Sequence, residues 1–199
     1  DVPVTYGGKA LHNIMNCLPA VLSTYFWRNI EIEDIKLALQ TFVPSSAQTP
    51  GRLNMFQFKQ FKFLVDFAHN PAGLELLCDF VSKVDGEPKV GIISGTGDRR
   101  DEDIKELGRI SGRSFDEIII RQDKHLRGRT AEEIVQLLVD GINETKTKDI
   151  PVTIILNEKE AIMHAYNTAK PGSLITIMCD VVAEALDLIK GLKEKEDAE

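Results

Sequence analysis

From Asn54 onward the spacing of apolar positions changes period again and again. "NMFQFKQFKFLVDF" alternates apolar with polar and predicts a β-hairpin turning near Lys59-Gln60. "KVGIIS", "DEIIIR", "PVTIIL" and "SLITIM" are short, rich in isoleucine and valine, and nearly continuous in apolar character. That is the pattern of strands buried on both faces. Helices with recognisable starts lie between them. Asn70 is predicted to cap a helix whose first residue is Pro71. Thr130 with Glu133 matches a capping box, and Asn157 with Glu160 is a weaker version. Val181 to Leu192 carries apolar residues at helical spacing.

Strands taking turns with helices predict an α/β fold: a mostly parallel, Rossmann-like sheet of about six strands with helices on both faces. The hairpin would form an antiparallel edge. Right-handed crossovers bring every strand-to-helix loop to one rim of such a sheet. Those loops are "DFAHNP", "SGTGDRRDED", "RQDKHLRGRT", "LNEKE" and "MCDV".

Upstream the pattern is helical. "LHNIMNCLPAVLSTYFW" is apolar on more than one side, which predicts deep packing, with a kink at Pro19. "EIEDIKLALQTF" sets Ile32, Ile35, Leu39 and Phe42 on one face. "DVPVTYGG" reads as the last strand of another sheet. Two helices make a poor core alone, so residues 1–43 are expected to be the helical remnant of a preceding domain in a longer protein. "VPSSAQTPGR" has the composition of a linker. The expected division is therefore a hinge over 44–52, a main domain over 53–192 and a disordered tail over 193–199.

Composition narrows the function classes. The net charge of −7 argues against broad nucleic-acid binding, which needs a basic face. No run of about 18 apolar residues predicts a membrane span. The three cysteines stand far apart without a CxxC pair, which fits a reducing cytoplasm and gives no zinc pattern. The four histidines show no paired metal spacing, and His164 is expected to be structural. Trp27, Phe56, Phe58, Phe61 and Phe63 read as packing residues.

The loops carry the candidate chemistry. Gly95 and Gly97 would let backbone approach a ligand, beside Asp98, Arg99 and Arg100. This is not a dinucleotide fingerprint, because Arg100 stands where a third glycine belongs. "GGKALHN" likewise is not a phosphate-cradling loop. Asp123, Lys124, His125, Arg127 and Arg129 precede a helix; arginines there can grip a carboxylate and Asp123 can accept from an amine or guanidinium. A charged surface loop would hold the same residues.

Taken in order, these segments resemble the Mur ligase family of ATP-dependent amino-acid ligases. "LHNIMN" is similar to that family's H-N-x-x-N, "PGRLN" to its arginine-bearing linker, and "DFAHNP" to its D-Y-A-H-N-P. "GTGDRRDEDIKELGRI" and "DKHLRGR" resemble the next two loops, most of all in the cyanophycin synthetase branch. Peptidoglycan ligases tend to have D-N-P-R where this chain has "DKHLRG". The resemblance implies that Asn13, Asn16, Arg52 and Asp66 contact ATP, Asp66 through the ribose hydroxyls. It gives Arg52 and His69 catalytic positions, with Arg52 stabilising charge. Asp98, Arg99, Asp123 and Arg127 would meet the incoming amino acid, and Asn70 would cap the helix.

The activity so implied is amide formation through an acyl phosphate, with ATP and magnesium as cofactors. Magnesium would be held mainly by residues outside this chain, and no metal ligand is assigned here. The partners implied are arginine, an acidic or poly-aspartate acceptor, amino-terminal domains of the same protein and a homo-oligomeric whole. For a guanidinium, Asp101, Glu102, Asp103 and Asp123 are the acidic candidates. The chain lacks a P-loop lysine, so residues 1–199 alone are expected to be inactive. Another Mur or folylpolyglutamate-type ligase, or a non-catalytic binding module of the same fold, are the alternatives.

Overall fold

The computed structural model describes residues 2–28, 30–146 and 149–198. Strands β1 (Asn54–Gln57) and β2 (Lys62–Asp66) form the predicted antiparallel hairpin. They are followed by β3 (Lys89–Ile93), β4 (Glu117–Ile120), β5 (Val152–Ile154) and β6 (Leu174–Met178). The six-stranded sheet runs in the order β1-β2-β6-β3-β4-β5, and every pairing after the first is parallel. Helices cover both faces. On one side α3 (Pro71–Lys83), α4 (Asp101–Ser114) and α5 (Ala131–Thr145) bury Leu74, Leu77, Ile104, Leu107, Ile134 and Leu138. On the other, α6 (Glu158–Thr168) and α7 (Val182–Ala198) bury Ala161, Ile162, Ala165, Leu186 and Ile189.

The caps act as the sequence suggests. Asn70 Oδ1 accepts from Gly73 N at 2.8 Å, with Pro71 opening α3. Thr130 and Glu133 exchange both bonds of a capping box. Asn157 Oδ1 accepts from Glu160 N at 3.1 Å. Helices α4 and α5 pack with almost no separation: a Cβ on Gly141 would stand 2.0 Å from the Lys105 carbonyl oxygen.

Several expectations are corrected. β5 is exposed rather than buried on both faces, because it is the outer edge of the sheet. Residues 193–198 of the expected disordered tail are helical: α7 runs on to Ala198, and Glu196 accepts from Lys59 N at 2.9 Å. Glu199 lies outside the described residues, as does Asp1 of "DVPVTYGG". Within that segment Pro3–Thr5 form a short 3-10 turn, not a strand, because Pro3 donates nothing to a ladder. Tyr6 then packs edge-on against Phe80, with centroids 5.2 Å apart, and Tyr6 Oη donates to the Leu53 carbonyl at 2.6 Å.

Helix α1 (Leu11–Arg28) contains Pro19 and buries no residue. Leu18, Leu22, Phe26 and Trp27 face outward, Trp27 with 86% exposure. Deep packing of this helix, and of Trp27, is therefore not found within the described residues. The phenylalanines do pack: Phe58 and Phe61 stack at 4.8 Å over buried Phe63. Helix α2 (Ile32–Thr41) buries only Ile35.

Candidate functional site

The carboxyl ends of β2, β3, β4 and β6 meet at one rim, where a cavity of about 690 Å³ lies between the loops after β4, β5 and β6, and two further cavities share the Phe67–His69 segment as a wall. The larger of these two, of about 440 Å³, lies between α1, the linker and the start of α3. Asn13, Asn16, Arg52, Asp66 and His69 all line it, as do His12, Pro44 and Thr49. The smaller, of about 170 Å³, is lined by Phe67–His69, by Ser94, Thr96, Asp98 and Arg99, by Arg121, Asp123 and Arg127, and by Cys179 and Asp180.

In the larger cavity Asp66 is 8% exposed. Its Oδ2 accepts from Leu53 N at 2.9 Å, so it pins the linker to the end of β2. Burial pushes its pKa up, opposed by the Leu53 amide, by the Arg52 charge and by the amides of Ala68 and Phe67. The exposed Arg52 guanidinium lies 5.7 Å from the Phe67 ring centroid, at the mouth. His69 Nδ1 is 3.1 Å from the Phe67 carbonyl oxygen. Asn13 Nδ2 donates to the Val4 carbonyl at 2.8 Å. His12 was not among the residues assigned from sequence; burial lowers its pKa, and the Asp79 charge opposes this. Its place in "LHNIMN" was the available signal.

The linker is less free than a hinge over 44–52 implies. Gly51 has φ +69, and a Cβ there would meet Val182 at 2.7 Å. Gly51 N donates to Asn54 Oδ1 at 2.7 Å, and Phe67 N donates to the Gly51 carbonyl at 2.9 Å. The far end of the linker is thus part of the rim.

Around the smaller cavity, Arg127 donates to the Asp98 carboxylate, and that hydrogen bond holds the Asp98 carboxyl below its usual range. Leu53 and Arg127 hold positive φ, 49° and 50°, a conformation that costs energy in a non-glycine residue; each lines one cavity. Two buried donors here, Thr96 Oγ1 and Arg99 Nε, find no hydrogen-bond partner among the described residues. Asp123 is 6% exposed, and its Oδ1 accepts from Arg121 Nη1 at 2.7 Å and Ser94 Oγ at 2.9 Å.

Other loop residues take structural parts. Arg129 is engaged within the chain: its Nε donates to the Gly97 carbonyl at 3.0 Å and its Nη2 to the Arg99 carbonyl at 2.9 Å, stapling the two loops. Gly97 is small because the Leu126 carbonyl fills the space a Cβ would need, 1.9 Å away, so a neighbouring loop makes the close approach. All four acids considered for a guanidinium are paired with the chain's own arginines: Asp101 with Arg129 at 2.7 Å, Glu102 with Arg109 at 2.5 Å, Asp103 with Arg100 at 2.8 Å and Asp123 with Arg121 at 2.7 Å. Of the four, only Asp123 lines the cavity. Arg121, at 1% exposure the largest fully buried side chain, was missed. Among the described residues no group of three His, Cys, Asp or Glu is placed to hold a metal ion. No helix among them is long and apolar enough to cross a membrane.

Comparison with known proteins places this geometry. The chain is 41% identical over 189 residues to a cyanophycin synthetase from Crocosphaera subtropica, covering 95% of this chain and 21% of that protein. It is 27% identical over 161 residues to a UDP-N-acetylmuramoyl-L-alanyl-D-glutamate–2,6-diaminopimelate ligase from Aquifex aeolicus, covering 81% and 31%. The chain thus spans about a fifth to a third of these curated relatives. In fold it matches a Mycobacterium tuberculosis folylpolyglutamate synthase complexed with ADP and AMPPCP, with a TM-score of 0.67 and 21% identity over 90% of this chain and 40% of that one. The model of the Mur ligase glutamate ligase domain matches residues 51–180, so the chain belongs to the Mur ligase family.

Proposed function

We propose that this chain is the carboxy-terminal part of an ATP-dependent carboxylate–amine ligase, and that its two rim cavities receive the nucleotide and the incoming amino acid. One observation carries the reading. The cavities share the Phe67–His69 wall, so ligands in them would be neighbours across a single loop.

The larger cavity suits a nucleotide. It has a cationic mouth at Arg52, amide side chains at Asn13 and Asn16, and a carboxylate at Asp66 whose second oxygen can accept from a hydroxyl. ATP, when bound, supplies the phosphoryl group that activates a substrate carboxylate. Arg52 then offsets negative charge, and His69 closes the wall between the ligands. Magnesium would be held mainly outside this chain.

The smaller cavity has about the volume of one amino acid. Thr96 and Arg99 offer unpartnered donors to an α-carboxylate, and Asp123 offers an acceptor to a cationic side chain. Arginine fits that polarity, and the acceptor would be an aspartate side chain of an acidic polymer, as in a cyanophycin synthetase. The greater identity to that relative than to the diaminopimelate ligase supports this choice. Cytoplasmic location, upstream nucleotide-holding domains and homo-oligomeric assembly belong to the same proposal. A ligase for another amino acid is the second reading, favoured by the 27% identity to the diaminopimelate ligase.

The test is steady-state kinetics on the whole protein. Asp123→Ala is expected to raise KM for arginine about tenfold or more with KM for ATP unchanged, from the loss of a charged hydrogen bond. Arg52→Met is expected to act on ATP instead. If each variant shifts both constants alike, the cavities are wrongly assigned; if glutamate or diaminopimelate replaces arginine as the better substrate, the second reading holds.

A further inference from the structure

Arg121 directly follows β4 and its run "EIII", on the α6–α7 side of the sheet. Its guanidinium reaches three separate rim segments. Nη1 donates to Asp123 Oδ1 at 2.7 Å and to the Gln122 carbonyl at 3.1 Å, in the loop after β4. Nη2 donates to the Met178 carbonyl at the end of β6. Nε lies 3.1 Å from Glu158 Oε2, in the first residue of α6. That oxygen also accepts from Asp180 N at 2.7 Å, in the loop after β6. One cation therefore ties the loop after β4 to the end of β6 and to the start of α6, and Asp123 and Asp180, two of the residues so connected, line the smaller cavity.

A buried ion pair is a poor source of stability, because removing two charges from water offsets their attraction. Orientation is what this one supplies. Asp123 receives two hydrogen bonds from the described residues, from Arg121 and from Ser94, and both end on Oδ1. With that oxygen held from two sides the orientation of the carboxylate is restrained, and among the described residues no hydrogen bond ends on Oδ2.

Resting on the amino-acid reading of the smaller cavity, we infer that Arg121, with Ser94, is a positioning residue for amino-acid selection: it fixes the Asp123 carboxylate so that Oδ2 meets the cationic side chain of the substrate. Arg121 acts through Asp123 and touches no reacting atom. A supporting shell of this kind converts a flexible carboxylate into one with a single bonding direction.

The experiment uses the whole protein, with arginine and ATP as the varied substrates. Arg121→Lys keeps the charge and loses the fork; Ser94→Ala removes the second bond and keeps the ion pair. Each is expected to raise KM for arginine about tenfold, the scale of a hydrogen bond to a charged group, and to leave KM for ATP within about twofold. Placed on Asp123→Ala, neither should add a further change beyond about twofold, because the group they orient is gone. Arg121→Lys reaching only insoluble protein leaves Ser94→Ala to decide. Equal shifts in both KM values, effects that add fully to Asp123→Ala, or an unchanged KM for arginine in Ser94→Ala overturn the inference while the amino-acid reading stands. A silent Asp123→Ala sinks both.

Discussion

Asp66 answers to two demands that pull its protonation in opposite directions. Its carboxylate must accept from the Leu53 amide to hold the linker, yet burial disfavours the charge that makes it a good acceptor, and burial is the larger effect. Removing the side chain therefore does more than weaken ATP use. In Asp66→Ala the buried Leu53 N–H loses its acceptor, which costs about 1–3 kcal/mol, so the fold is weakened as well. Asp66→Asn keeps an oxygen for Leu53 and discards the buried charge. A carboxyl whose folded pKa is raised above its usual 3.8 costs stability at neutral pH, and that cost fades as pH falls through the folded value toward 3.8. Thermal melts should place Asp66→Asn at or above the parent at pH 7, with the gap closing on acidification and Asp66→Ala well below both. A gap that widens on acidification would mean the folded pKa is depressed instead. At this scale the sequence told residue types but not partners. Asp98 and Arg127 were both assigned to substrate, and they also bind each other. Arg121 stayed hidden because a charge closing a strand normally ends in water. Period-two alternation does put it on the buried α6–α7 face with Ile119, and that was the signal to follow.

Helices α4 and α5 are joined as closely as backbones allow, and glycines inside helical runs were the one hint of it along the chain. Gly108 and Gly141 stand where a Cβ would lie 2.3 Å from the Leu138 carbonyl oxygen and 2.0 Å from that of Lys105. Gly191 in α7 has nothing within 4 Å. The same substitution should therefore change sign between sites. Gly141→Ala forces two helix backbones apart and is expected to cost about 3 kcal/mol, at the upper end for overpacking. Gly191→Ala adds helix propensity without a clash and should gain about 0.5–1 kcal/mol. Denaturant midpoints at constant slope measure both, and equal effects would refute the close packing of α4 on α5. Strands and caps were legible because they follow local rules: Asn70, Thr130 and Asn157 each bond their own helix's backbone. β5 and the α7 tail were misread because edge position and the Lys59–Glu196 contact are long-range facts. Helix α1 was misread for a related reason, since an apolar surface reveals that it needs cover but not which chain supplies it.

That helix is the best handle on the whole molecule. Under the proposed function the chain works only when joined to upstream domains that hold ATP and magnesium, and the matched relatives are several times longer than this chain. Leu18, Leu22, Phe26 and Trp27 form an exposed apolar surface of the kind that soluble proteins cover. Trp27 is the sole tryptophan of the sequence. Its fluorescence therefore reports on α1 alone in the 199-residue protein, and in the whole protein once other tryptophans are replaced. The isolated chain should emit at the long wavelength of an indole in water, be readily quenched by acrylamide, and turn over no substrate. In the whole protein the same indole should shift to the blue and be protected, with ligase activity present. A blue shift without activity would place a partner on α1 but leave the ligase reading unsupported. Activity with an unshifted, fully quenched Trp27 would mean that α1 is a solvent-facing element, and that the two rim cavities work without a neighbour across that surface.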